Sequence, residues 1–155
     1  MNESMKKKEL LVAAIKDGTV IDHIPADKTY HVVQLLGLDC MKTPVTIGNN
    51  FPSDRLGKKG IIKVEDKFFT DEEVSRLSVL APNIVLNIIR DYEVAEKRIV
   101  TTPDDLRGIV RCKNPKCITN NEPMQTHFHV VDKEHGRLVC HYCEVEQDID
   151  SVELV

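Results

Sequence analysis

Four of the five cysteines in this 155-residue chain fall in two tight pairs, Cys112-x4-Cys117 and Cys140-x2-Cys143, with 22 residues between the pairs. Thiolates at such short loop spacings converge on one tetrahedral ion, and Zn²⁺ suits four soft sulfur ligands best. The x2 pair is a tight knuckle, and Asn114-Pro115 supplies the turn in the wider pair. Four thiolates leave no coordination position for water, so the spacing predicts one structural Zn²⁺ per chain rather than a catalytic ion. A disulfide framework is the weaker reading, because nothing in the sequence points to an oxidising compartment. The basic start, Met1 to Glu9, is followed only by the apolar stretch Leu10–Ile15, too short for a secretory signal or for the ~20 residues that cross a bilayer. We therefore expect a cytoplasmic protein with no membrane partner.

The ion answers a size problem. The polar, proline-containing stretch Lys97–Leu106 reads as a connector between residues 1–99 and residues 100–155. The fifty or so residues beyond it are near the lower limit for an unaided hydrophobic core, so metal affinity there becomes folding free energy.

The first hundred residues read as an α+β domain. The β-rich runs Leu10–Lys16 and Thr19–Ile24 flank Asp17-Gly18, a hairpin signal, and Pro25 ends the second run. From Asp27 the spacing turns helical, with Tyr30, Val33 and Leu36 on one face and Gly37 as the C-cap. Pro44–Gly48 and Gly60–Glu65 read as strands joined by a loop over Asn49–Gly57. Thr70 and Glu73 form a capping box ahead of Val74, Leu77 and Leu80, and Pro82 ends that helix. Asn83–Arg90 is a β-branched run, expected as a buried central strand. The order β-β-α-β-β-α-β predicts a ferredoxin-like antiparallel sheet with two helices on one face and an extra leading strand, followed by a small β-rich zinc-binding domain. The uncovered sheet face would need a partner or a second domain.

Charge narrows the functional classes. Residues 1–100 hold 15 Lys and Arg against 15 Asp and Glu, whereas residues 101–155 hold 6 against 10, so the whole net charge of −4 lies in the last third. The competing reading, a zinc-ribbon nucleic-acid or transcription-associated module, needs a positive field that this tail lacks, so no nucleic-acid partner is expected. Glu144, Glu146, Asp148 and Asp150 alternate along an expected final strand, either as a solvent face or as an acidic docking edge. No phosphate loop, dinucleotide fingerprint or nucleophile elbow occurs. Asp22 and His23 are adjacent on a strand and so are expected on opposite faces, unable to act as a dyad. Cys40 reads as a packed core thiol. His127 and His129 share one strand face and read as two solvated or hydrogen-bonded histidines, while His141 sits inside the second knuckle. Lys58, Lys59, Lys63 and Lys97 are solvated lysines or a positive patch for a phosphorylated small molecule.

Longer segments carry more. Gly18-Thr-Val-Ile-Asp-His-Ile-Pro25, Thr46-Ile-Gly48 with Pro52-Ser53, Ile62-Lys63, Asn87 followed by Tyr92-Glu-Val94, Cys112-x-Asn114-x-x-Cys117-Ile and Cys140-x-Tyr-Cys143-Glu occur in one order and spacing. By these segments the chain, from about Leu10 to Glu144, resembles the regulatory chain of aspartate carbamoyltransferase. The resemblance implies a non-catalytic subunit of pyrimidine biosynthesis, with an N-terminal allosteric domain that pairs into a homodimer by joining sheets. It also implies a C-terminal zinc domain, held by Cys112, Cys117, Cys140 and Cys143, that grips the catalytic chain. CTP, ATP and UTP are the effectors it implies. Carried over position by position, their site would comprise Val12, Ala14, Ile15, Asp22, His23, Ile61, Lys63, Asn87, Ile89, Tyr92, Val94 and Lys97. Lys97 and His23 would meet the phosphates, Lys63 and Asp22 the ribose and base region, and backbone groups near Ile15, Ile89 and Tyr92 the base edge. Ala13, Lys116 and Val145 depart from the family pattern.

Overall fold

In the computed structural model, which describes residues 14–155, five strands build the first sheet. They are β1 (Gly18–Pro25), β2 (Val45–Ser53), β3 (Gly57–Glu65), β4 (Val85–Arg90) and β5 (Glu93–Ile99), with α1 (Thr29–Leu35) between β1 and β2 and α2 (Asp71–Leu80) between β3 and β4. The strand order is β2-β3-β1-β4-β5 and every neighbouring pair is antiparallel. Without β5 this is the ferredoxin-like split βαβ order expected from the sequence. Both helices lie on one face, where Val32, Val33, Val74 and Leu77 pack with Ile21, Ile62, Val64 and Leu86. The capping box at Thr70 closes as predicted: Glu73 N–H donates to Thr70 Oγ1 at 3.2 Å and Thr70 N–H to Glu73 Oε1 at 3.1 Å. Two glycines admit close approaches. Gly18 takes φ 143° with Val64 O where a Cβ would stand, and a Cβ on Gly60 would strike Thr29 of α1.

Several local expectations are corrected. The α1 stripe is displaced in phase: Thr29, Val32 and Val33 are buried, while Tyr30 is exposed. Its apolar positions at i, i+3 and i+4 begin at Thr29, whose hydroxyl bonds Asn49 Oδ1 at 2.8 Å rather than water. The expected loop Asn49–Gly57 is mostly strand, since β2 and β3 pair through to Ser53 and Gly57 and turn only at 54–56. Pro52 is tolerated there because β2 is an edge strand. The expected connector begins inside β5, which sequence patterning missed because all seven of its residues are exposed. An edge strand with no buried face has no alternation to reveal it. The expected leading strand Leu10–Lys16 falls largely outside the described residues, and residues 14–17 are not strand. Cys40 is exposed, not packed, because Leu38 occupies the buried position of the 3-10 turn Leu38–Cys40.

The second unit is β-rich: β6 (Asp105–Arg107), β7 (Val110–Arg111), β8 (His127–Asp132), β9 (Arg137–Cys140), β10 (Glu146–Asp148) and β11 (Glu153–Leu154). A four-stranded sheet runs β10-β9-β8-β6, and β11 pairs with β7. Its core unites Leu106, Ile109, Val110, Phe128 and Leu138 with three of the cysteines and with Val79 of α2. Helix α2 therefore serves two cores, and Val100 packs back into the first. Arg76 Nη2 donates to Val155 O at 2.9 Å and Thr102 Oγ1 to Ser78 O at 3.3 Å across the same junction. The acidic stripe is not one strand: Glu144 sits in a turn at φ 63°, only Glu146 and Asp148 flank buried Gln147 in β10, and Asp150 lies in a 3-10 turn. Among the described residues no helix is long and apolar enough to cross a membrane.

Candidate functional site

The four paired cysteines come together in space. Cys112, Cys117 and Cys140 are buried and Cys143 is half-buried, and all four sulfurs lie within 4.8 Å of one another. Cys112 Sγ stands 3.5 Å from Cys143 Sγ, and Cys117 Sγ 3.7 Å from Cys140 Sγ. A tetrahedral ion with bonds of about 2.3 Å separates its sulfurs by about 3.8 Å, so the donor set fits Zn²⁺ in number, softness and spacing. None of the four is in a disulfide.

Local bonding shapes the two knuckles. Cys117 N–H donates to Asn114 O at 3.0 Å, and Asn120 Nδ2 clamps the carbonyls of Cys112 and Asn114 at 2.9 and 2.8 Å. In the second knuckle Glu144 N–H reaches Cys140 O at 2.9 Å, a turn that Glu144 closes with its positive φ. Buried Gln147 accepts from Lys113 N–H at 2.9 Å and ties the first knuckle to β10. Burial pushes the Cys112 thiol up to about 12 and raises Cys140 as well. Burial, the largest influence, also pushes Cys143 up, but the Val145 N–H, the Asn114 side chain and the neighbouring thiols bring it down to about 7. Four thiolates so close repel one another unless a dication sits among them, which is how metal binding drives folding.

A second polar assembly lies on the sheet face that neither helix covers. Directly paired residues share a face, and register aligns Lys63 with Val20, Val20 with Asn87, and Asn87 with Lys97. Ile61, Ile89 and Val94 fall on the same face, two residues along or directly opposite. Lys97 thus lies within β5, not beyond the last strand. Beside this row, two to three residues along β1 from Val20, the strand bulges between Ile21 and Ile24, and His23 takes φ 59°. The bulge overturns the expected separation of Asp22 and His23: His23 Nδ1 stands 3.5 Å from Asp22 Oδ2. Lys59 Nζ reaches Asp22 Oδ1 at 3.0 Å, and His23 Nδ1 is buried without a hydrogen-bond partner. Burial lowers the His23 pKa below its ordinary value; Asp22 offsets part of this, while Lys59, Arg55 and Lys97 add to the lowering. Arg55 carried no sequence signal, because only the long β2–β3 hairpin brings it here.

The remaining expected positions scatter around this row. Ile15 is buried and Ala14 exposed, and Lys16 O accepts from Tyr92 N–H at 2.9 Å, drawing the start of the described chain to the β4–β5 turn. Tyr92, at φ 67°, and Val94 are exposed. Val12 lies outside the described residues. Two shallow clefts lie elsewhere, one beside Phe68 and Arg98, the other beside Arg111 and Asn120.

Comparison with known proteins covers both assemblies. Residues 10–101 match the family model described as the allosteric domain of the aspartate carbamoyltransferase regulatory chain, and residues 104–153 match its metal binding domain. An aspartate carbamoyltransferase regulatory chain of Phocaeicola vulgatus is 66% identical over 155 residues, covering 100% of both chains. One from Porphyromonas gingivalis is 57% identical over 151 residues, 97% of this chain and 100% of the relative. One from the archaeon Pyrococcus abyssi is 50% identical over 146 residues, 93% of this chain and 96% of the relative.

Proposed function

This chain belongs to the family of aspartate carbamoyltransferase regulatory chains, non-catalytic subunits with an allosteric and a metal-binding domain, and we propose how its two assemblies divide that work. Residues 1–99 form the allosteric domain and residues 100–155 the metal-binding domain, with the Val100 side chain packing back into the first core. Cys112, Cys117, Cys140 and Cys143 hold a structural Zn²⁺, and the stiffened module grips the catalytic chain. Nucleoside triphosphates, CTP and ATP with UTP, bind the open sheet face. The chain pairs with a second copy through its N-terminal domain, and it works in the cytoplasm.

The observation that carries the nucleotide reading is the row Lys63, Asn87 and Lys97, aligned by register and flanked along β1 by the Asp22, His23 and Lys59 cluster. A triphosphate needs several cations and directed donors within one molecule's length. Lys97, His23 and Lys59 suit its phosphates, Lys63 and Asp22 its ribose and base region, and backbone groups near Ile15, Ile89 and Tyr92 its base edge. The buried His23 Nδ1, near Asp22 Oδ2 yet without a hydrogen bond, supports a polar ligand there. For the pairing, the support is that β2 and β5 end the five-stranded sheet and carry unpaired backbone groups among the described residues.

Control of the catalytic chain is then a coupling between sites. An effector that binds one assembly state better shifts the equilibrium, and a coupling of about 1–3 kcal/mol changes affinity about 5- to 150-fold. Helix α2, shared by both cores, is the rigid connection between effector face and zinc module. The test is calorimetric titration of CTP and ATP into the purified chain, with metal content measured on the same sample. Lys63→Ala and Lys97→Ala should weaken binding while zinc and association with the catalytic chain persist. Unaltered triphosphate affinity in both variants overturns the pocket.

A further inference from the structure

We propose that His127, His129 and His141 form a second metal site, separate from the four cysteines, for a divalent transition ion that prefers imidazole. The inference does not depend on where nucleotides bind.

Three strands build the cluster. Strand β8 carries His127 and His129 two residues apart, on one face. His141 follows β9, and its backbone N–H donates to His127 O at 2.9 Å, holding it beside them. The ring centroids are separated by 4.5, 4.4 and 5.1 Å, and one nitrogen from each ring lies within 4.8 Å of the others. His129 Nε2 and His141 Nδ1 are 2.9 Å apart. Asp105, opposite His129 in the β6–β8 register, completes the arrangement. A single carboxylate oxygen stands 2.7 Å from His129 Nδ1 and 3.1 Å from His127 Nε2.

That shared carboxylate decides the chemistry. Accepting from both rings, it assigns the proton of His129 to Nδ1 and that of His127 to Nε2. The opposite nitrogen of each ring then carries a lone pair. For His129 this is Nε2, the atom facing His141. A carboxylate behind an imidazole whose far nitrogen is free is the arrangement that orients metal-ligating histidines and raises their basicity. An ion about 2.0–2.1 Å from each nitrogen would hold them about 3.4 Å apart, within the spread observed. Three hydrogen-bonded histidines need no ion to be stable. Yet three convergent imidazoles on paired strands, two of them fixed by one carboxylate, form a prebuilt N-donor set. His127 is buried while His141 is exposed, so the site has a closed back and an open front for ion entry. Imidazole ligands suit Zn²⁺, Ni²⁺ and Cu²⁺, whereas the thiolate set alongside keeps the softer demand for the first ion.

The probe is Ni²⁺ alone, titrated into the full-length chain already carrying one zinc. Calorimetry should show one further ion per chain with the first zinc retained. Paramagnetic Ni²⁺ should broaden the ring resonances of His127, His129 and His141 and spare His23, His31 and His135. His129→Gln combined with His141→Gln should abolish the second ion without loss of the first, and Asp105→Asn should weaken it on the order of 10–100-fold. Failure of the wild-type chain to bind a second ion overturns the proposal, as does Ni²⁺ entering only by displacing zinc. So does a second ion retained by the double variant. Because the first two outcomes need no variant, misfolding of a substituted chain leaves the decision intact.

Discussion

Val79→Ala tests whether α2 joins two cores. Val79 is 2% exposed and packs with Leu106, Phe128 and the cysteines, whereas Val74, one and a half turns earlier and 6% exposed, packs with the first sheet. Each substitution removes the same two methyl groups. At about 0.5–1.5 kcal/mol per buried methyl, transfer and cavity together, either should cost about 1–3 kcal/mol. The two costs should fall in different places. Native-state hydrogen exchange on the zinc-loaded chain should show Val79→Ala weakening protection in β8 and β9, and Val74→Ala weakening β1 and β3. Neither residue belongs to the polar row, so CTP binding to Val79→Ala should match the unaltered chain. Transmission to the catalytic chain should fall, by about 0.5–2 kcal/mol of coupling. A Val79→Ala chain that loses protection in β1 and β3 while β8 and β9 stay unchanged would refute the two-core account of this helix.

Other outcomes follow from the same geometry. Chelation or mercurial attack should unfold the residues after about 105 and leave the first sheet folded, read by limited proteolysis and circular dichroism; a resistant metal-free module would contradict the role given to the four thiols. His23 titrates below 6.5 in the folded chain, so between its lowered value and 6.5 the unfolded state binds more protons and stability rises with pH. A triphosphate beside the ring should restore its proton affinity. CTP binding near pH 6.5 should therefore take up protons, measured by calorimetry in buffers of different ionisation enthalpy, and binding without uptake would remove His23 from the phosphate contacts. Thr70→Ala removes the hydroxyl arm of the capping box, leaving the residue-70 backbone N–H to bond Glu73, and should cost about 0.5–2 kcal/mol in urea titration, against no change if the hydroxyl contributes nothing.

What the sequence determined by itself was whatever a few neighbouring residues decide. Thiol spacing selected the ion's chemistry, because each knuckle is closed by bonds within a few residues, such as Cys117 N–H to Asn114 O. Thr70 and Glu73 announced a helix start three residues apart. Lys63 and Lys97 were visible as charges, and likeness to a known family implied a ligand role for them, but spacing alone said nothing of where they lie. Tertiary structure decided that by register, setting Lys63, Asn87 and Lys97 in one row across β3, β4 and β5, which the chain joins through α2 and a tight turn. It also decided the bulge that joins Asp22 to His23, the exposure of Cys40, the second allegiance of α2 through Val79, and the carboxylate of Asp105 behind two histidines 22 and 24 residues away. These features share a physical reason. Each depends on which strands become neighbours, a choice made by burial summed over the whole core, and no local propensity encodes it.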